Sequence, residues 1–156
     1  MGKSLNRVTR ALRDAGLDTS PVELSDSART AQEAADAVGC GLDQIAKSII
    51  FRGENIGKAI LFVTAGGNQV CMNKASALAN EPLGKADARL IRTQTGFAIG
   101  GVSPIGHLSP VRVFFDPKLL DFKTIWAAAG TPHHVFAINP ANLQKISGGD
   151  VSDFTV

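Results

Sequence analysis

Tyrosine is absent from this sequence, cysteine occurs only twice, and no apolar run is long. Without tyrosine no phenolic hydroxyl can act as an acid, base or hydrogen-bond donor at a site. The two cysteines, Cys40 and Cys71, form no CxxC pair and make no disulfide framework, so they read as reduced thiols. The longest apolar stretch, Ala59 to Val63, falls far short of the roughly 20 residues that span a bilayer. The opening MGKSLNRVTR lacks the apolar core of a signal peptide, and asparagine at position 6 breaks the myristoylation pattern. These absences predict a soluble, cytoplasmic protein that does not use a membrane.

Net charge is also small, at +2. That is no nucleic-acid footprint by itself. The 16 Lys and Arg side chains would have to gather on one face to make one. What the chain does have is size and apolar material. Its 156 residues, 44% of them hydrophobic, suit one domain with its own core. Glycine and proline are dispersed, and no repeat or linker divides the chain.

Leu5, Val8, Leu12 and Ala15 recur at helical spacing and predict a helix over 4–15, stopped at Gly16. Val22 to Leu24 reads as a short extended segment. Thr30 and Glu33 form a capping-box pattern ahead of a helix over 31–38 that ends at Gly39. Two strands follow, 47–52 and 58–64, joined by a turn at 53–57. The second is apolar throughout and is expected to be buried on both faces. Helices are predicted over 73–78 and 87–95, strands over 111–115, 124–128 and 135–138, and a last helix from Asn139-Pro140 to about Ile146. The elements do not alternate strictly as strand and helix. The fold class is therefore mixed α/β (α+β): a single domain over 1–156 with a curved, mixed, largely antiparallel sheet surrounded by helices.

Three places could carry chemistry. Lys47 shares a strand face with Ile49 and Phe51, where an ammonium is costly to bury without a partner. It either snorkels to water or meets a ligand. The loop from Gly100 to His107 has no regular period. Gly100 and Gly101 can present bare amides, Pro104 stiffens the loop and Gly106 bends it, which suits a developing oxyanion or an ordinary connection equally. In the third stretch, 130–134, His133 and His134 point to opposite faces of a strand, so at most one enters a given pocket. No HExxH, paired CxxC or GxSxG pattern supports a metal site or a serine nucleophile, and no phosphate loop follows Gly66-Gly67. No metal and no cofactor is expected.

In this order, the segments 30–39, 45–51, 95–107 (TGFAIGGVSPIGH) and 126–134 (WAAAGTPHH) resemble the YbaK/EbsC family of trans-editing aminoacyl-tRNA deacylases. The same fold occurs as the editing insertion of bacterial prolyl-tRNA synthetases. The resemblance covers nearly the whole chain, and its most specific part is the glycine-rich stretch after Thr95-Gly96-Phe97. It implies a metal-independent hydrolase with Lys47, Gly100 and Gly101 in catalytic roles. Substrate contacts are then expected from Ser48, Val102, Pro104, Ile105, Gly106, His107, Gly130, Thr131 and His134. Ser48 stands where the alanine-clearing branch has asparagine, and the subset with an Ala-Gly-Thr-Pro-His loop looks closest. The implied partners are the 3′ aminoacyl end of mischarged tRNA, with tRNA-Pro carrying a small noncognate amino acid as the expected substrate, and an aminoacyl-tRNA synthetase. Two rival readings remain open: a non-catalytic module that binds an aminoacyl, nucleotide or tRNA-end ligand, and a lysine Schiff-base enzyme using pyridoxal phosphate.

Overall fold

A computed structural model describes residues 2–26 and 28–156. The chain runs α1 (Lys3–Asp14), β1 (Val22–Glu23), α2 (Ala31–Val38), β2 (Ile45–Gly53), β3 (Ala59–Ala65), α3 (Met72–Ala79) and β4 (Leu83–Lys85). It continues with α4 (Ala88–Thr95), β5 (Arg112–Phe115), β6 (Ile125–Thr131), β7 (His134–Ile138), α5 (Pro140–Ser147) and β8 (Asp150–Val151). The strands form one mixed sheet in the order β1-β7-β6-β2-β3-β5-β8, with β4 beside β2. Four of its pairings are antiparallel and three are parallel.

Local chemistry sets the helix limits. Thr30 Oγ1 accepts from the Glu33 N–H at 3.1 Å, while Glu33 Oε1 accepts from the Thr30 N–H at 3.1 Å. This closes the capping box that starts α2. Gly39, Gly96 and Gly148 end α2, α4 and α5 in the left-handed conformation that glycine adopts without a Cβ penalty.

Strand β3 is central, and all seven of its residues are buried. Alternation sends Leu61, Val63 and Ala65 into the larger core with Val8, Leu12, Phe97, Phe115 and Phe136. Ile60 and Phe62 face the opposite side, where Phe62 stacks on Phe114 at 5.2 Å and meets Phe154 edge-on at 5.0 Å. A third cluster joins Ala34 and Ala35 of α2 to Ile45 and Trp126.

The sheet is open at one place. On one edge, β2 pairs with β3 from Ala46 to Arg52. On the other edge, β6 pairs only with Ile45 and Ala46, and β4 only with Phe51, Arg52 and Gly53. Residues 47–50 therefore have no strand beside them on that edge among the described residues. The sheet splays there, and β6 diverges from β2.

The sequence pattern misses the short strands β4 and β8 and the 3-10 turns at Leu42–Gln44 and Pro117–Asp121. It also ends β6 three residues early. Glycine at position 130 looked like a breaker, yet β6 passes through it with a register irregularity between Ala128 and Thr131. Gly130 has φ +100°, and a Cβ there would lie 2.9 Å from the Ser4 carbonyl oxygen and 3.0 Å from the Phe97 ring. Close packing of α1 on β6 requires glycine.

Candidate functional site

A cavity of about 340 Å³ fills the splay between β2 and β6. Strand β2 supplies Lys47 and Ser48, the loop after α4 supplies Gly100 and Val102, and the β6–β7 hairpin supplies Thr131 and His134. Helix α2 closes one side with Ala31, Ala34 and Val38, and Trp126 lies below. The wall is mainly apolar with a few polar groups, which is the usual build of a small-ligand site.

Alternation along β2 explains how both Lys47 and Ser48 reach this space. They point to opposite faces of the sheet, but the missing neighbour strand leaves the cavity open to both. Burial pushes the Lys47 ammonium below its ordinary value, and the carboxylates of Asp116 and Asp43 pull it partly back. Asp116 is itself buried and fixed: its Oδ2 accepts from the Ala65 N–H at 3.0 Å and from Asn68 Nδ2 at 2.9 Å. The lysine is thus held where shedding its proton, or meeting an anion, relieves a cost. Ser48 Oγ is buried and finds no hydrogen-bond partner among the described residues.

The hairpin presents a coupled pair. Thr131 Oγ1 lies 2.7 Å from His134 Nδ1 and also accepts from the His133 N–H at 3.1 Å. Glu23 Oε2 stands 3.8 Å from His134 Nε2. A carboxylate can only accept, so it favours the proton on Nε2 and leaves Nδ1 to accept from the Thr131 hydroxyl. His134 is a register partner of Glu23 in β1, which fixes the approach. His133 lies in the turn between β6 and β7, outside both strands, and is exposed.

The loop over 96–107 differs from its expected role. Gly100, at φ +94°, lines the cavity, as does Val102. Among the described residues neither of their N–H groups has an intramolecular acceptor. Gly101 is different. Its N–H donates to the Ala98 carbonyl at 3.0 Å and closes a turn, so this amide is not free for a substrate oxygen. A Cβ at 101 would fall 2.9 Å from Thr131 Cα, so glycine is needed there to let the loop lie against β6. Pro104, Ile105, Gly106, His107 and Gly130 do not line the cavity either. Pro104 is buried, and Ile105 is packed into the larger core. Gly106 sits against the α1 backbone, where a Cβ would meet Arg7 carbonyl atoms at 3.3 Å. His107 turns inward to the Ser103 carbonyl oxygen at 2.8 Å. These residues brace the loop from beneath and do not face the ligand space.

Sequence reasoning missed several contributors. Arg7 of α1 ties the loop down, with Nε donating to the Gly106 carbonyl at 3.1 Å and Nη2 to the Gly96 carbonyl at 2.6 Å. Its guanidinium also lies over Phe97, 4.9 Å from the ring centre. Its place on a helix gave no signal beyond charge. The α2 wall and Trp126 were equally silent, because their role depends on how α2 lies across the open edge. Among the described residues no three His, Cys, Asp or Glu side chains gather as a metal site, and no helix is long and apolar enough to cross a membrane.

Residues 25–146 match the aminoacyl-tRNA editing domain family. The chain is 32% identical over 125 residues to the uncharacterized protein YwhH of Bacillus subtilis (strain 168), covering 80% of this chain and 79% of that protein. A solved structure described as that of a candidate trans-editing enzyme for prolyl tRNA synthetase superposes with TM-score 0.92 at 42% identity, over 100% of this chain and 99% of that one. A scaffold protein used in computational epitope grafting superposes equally well, with TM-score 0.92 at 40% identity over the same shares.

Proposed function

Because the chain belongs to the aminoacyl-tRNA editing domain family, we propose that its cavity hydrolyses the ester between an amino acid and the terminal ribose of a mischarged tRNA, acting in trans. The observation that carries this reading is the meeting of Lys47, Gly100 and Val102 with their unbonded amides, and the Thr131–His134 pair around one cavity at the unpaired stretch of β2. The YbaK/EbsC-type resemblance and the likeness to a candidate trans-editing enzyme for prolyl tRNA synthetase point the same way. On that likeness, the expected substrate is tRNA-Pro carrying a small noncognate amino acid, met in the cytoplasm with or without a synthetase partner.

An aminoacyl ester is already activated, so catalysis needs mainly positioning and charge stabilisation. The Lys47 ammonium would hold the terminal phosphate or ribose. The Gly100 and Val102 amides would receive the carbonyl oxygen as negative charge develops on it. Thr131 and His134, with the neighbouring ribose hydroxyl, would orient the attacking water. Its bond to the carbonyl carbon forms as the ester C–O bond breaks, and the ribose oxygen leaves with a proton. These steps call on the side chains and amides of the site alone, which supports a metal-independent route. Selection by size would fall to Val102, Ala34, Val38 and Trp126. One methylene is worth only about 1–3 kcal/mol in such a pocket, so a separate editing step has a purpose.

The test is a panel of tRNAs mischarged with small amino acids, followed for release of the amino acid. Release from at least one member, well above the spontaneous rate, is expected. Tight retention of charged tRNA with no release would replace the hydrolase with a binding module.

A further inference from the structure

We propose that the groove leaving the cavity over Gly100 is the track of the single-stranded RNA 3′ end, upstream of the nucleoside that bears the ester. The inference rests on the deacylase reading for its substrate, and it assigns residues that reading does not use.

A second depression of about 320 Å³ is lined by Ala28, Arg29, Ile99, Gly100, Pro132 and His133. All of these except His133 also line the main cavity. The two spaces therefore adjoin, which sets the groove in the path of a chain that leaves the cavity on this side. Its walls are held in place. The Leu24 N–H donates to the His133 carbonyl at 2.6 Å, and the Ala28 N–H donates to the Pro132 carbonyl at 3.0 Å. These two bonds seat Leu24 and Ala28 on the hairpin turn, and Arg29 follows directly. The Arg29 backbone N–H donates to Glu33 Oε1 at 3.1 Å, which fixes its main chain at the α2 start.

The surface chemistry suits a polyanion with flat bases. Arg29 is exposed, and among the described residues its guanidinium meets no carboxylate. Ile99 is 61% exposed at the groove wall, an apolar surface without a partner, and Pro132 and His133 are exposed opposite. A cation for a phosphate beside apolar and ring surfaces for bases is how single strands are held without reading their sequence. A free amino acid or a lone aminoacyl nucleoside lacks the upstream phosphates and bases that this groove would hold.

The experiment compares two substrates carrying the same amino acid: full-length mischarged tRNA, and the aminoacyl ester of adenosine alone. The variants are Arg29→Glu and Ile99→Asp, with the urea midpoint confirming that both fold. Binding of uncharged tRNA is measured beside turnover. The proposal expects KM for tRNA, and Kd for uncharged tRNA, to rise about tenfold or more. KM for the adenosine ester should rise by a much smaller factor than KM for tRNA. Arg29→Gln should flatten the dependence of log Kd on log salt by about 0.7, the share of one single-strand phosphate. Unchanged tRNA binding in both variants, or equal weakening for the two substrates, would overturn the proposal. If the unaltered protein cleaves neither substrate but the variants still weaken tRNA binding, the deacylase reading fails and the groove stands.

Discussion

Thr131 shows how a single hydroxyl can link site and scaffold. Its oxygen accepts from the His133 N–H and contacts His134 Nδ1 at 2.7 Å, so it sets both the hairpin turn and the imidazole orientation. Thr131→Val keeps the shape and removes both bonds. Turnover should fall by about 100-fold, the lower end of what losing a positioned proton-transfer group costs, with KM changed little. Steady-state kinetics on a cleaved mischarged tRNA checks this. Gly101→Ala should also damage turnover, and more than Ser103→Ala does, because its Cβ would collide with the Thr131 backbone at 2.9 Å. The reason is steric and not a lost oxyanion contact, since the Gly101 amide is spent on Ala98. Equal, mild effects of the two substitutions would contradict that account. At this scale the sequence was legible for residue type and blind to direction. The lysine on an apolar strand and the glycines of the loop could be picked out. Which amide faces the cavity depends on a turn that no periodicity reveals. His107 looked like a site residue because it ends a glycine-rich stretch, yet it points into the protein.

Elements were more legible where local chemistry decides them. The capping box at Thr30, the glycine stops and the continuous apolar run of β3 all stand where sequence rules put them. Strands β4 and β8 are two or three residues long and exist only through their partners, so no local signal marks them. The loop braced by Arg7 is likewise a product of packing between α1 and the residues after α4. That packing has a consequence for pH. Ser103 offers His107 a carbonyl, which can only accept, so Nε2 carries the proton and Nδ1 is the atom that titrates. Burial pushes the His107 pKa down, the bond to Ser103 opposes this, and the Arg7 charge lowers it further. The folded state therefore refuses a proton that the unfolded chain takes up near the ordinary value of about 6.5. The stability this contributes is complete above that pH and is lost as pH falls toward the lower folded value. The urea midpoint should drop between about pH 7.5 and pH 5.5, and His107→Gln should make that drop shallower, since the amide still donates to Ser103 but does not titrate. An unchanged slope would place the acid sensitivity elsewhere.

For the whole molecule, the decisive feature is an absence within the sheet. Strand β2 is shared by β6 at one end and β4 at the other, and the four residues between, 47–50, border the cavity. Mixed topology with helices outside could be read from the order of elements. The splay could not, because it arises from where two distant strands stop pairing. It is also what lets an amine at position 47 and amides near position 100 share one space despite their separation in the chain. The central claim is that this shared space performs the chemistry. The most direct measurement is single-turnover release of the amino acid from a mischarged tRNA by the unaltered protein and by Lys47→Ala, with matched urea midpoints. The account predicts a loss of about 100-fold or more in the variant, comparable to displacing a bound substrate by roughly 1 Å from its reactive position. A folded Lys47→Ala protein that releases the amino acid at the unaltered rate would contradict it.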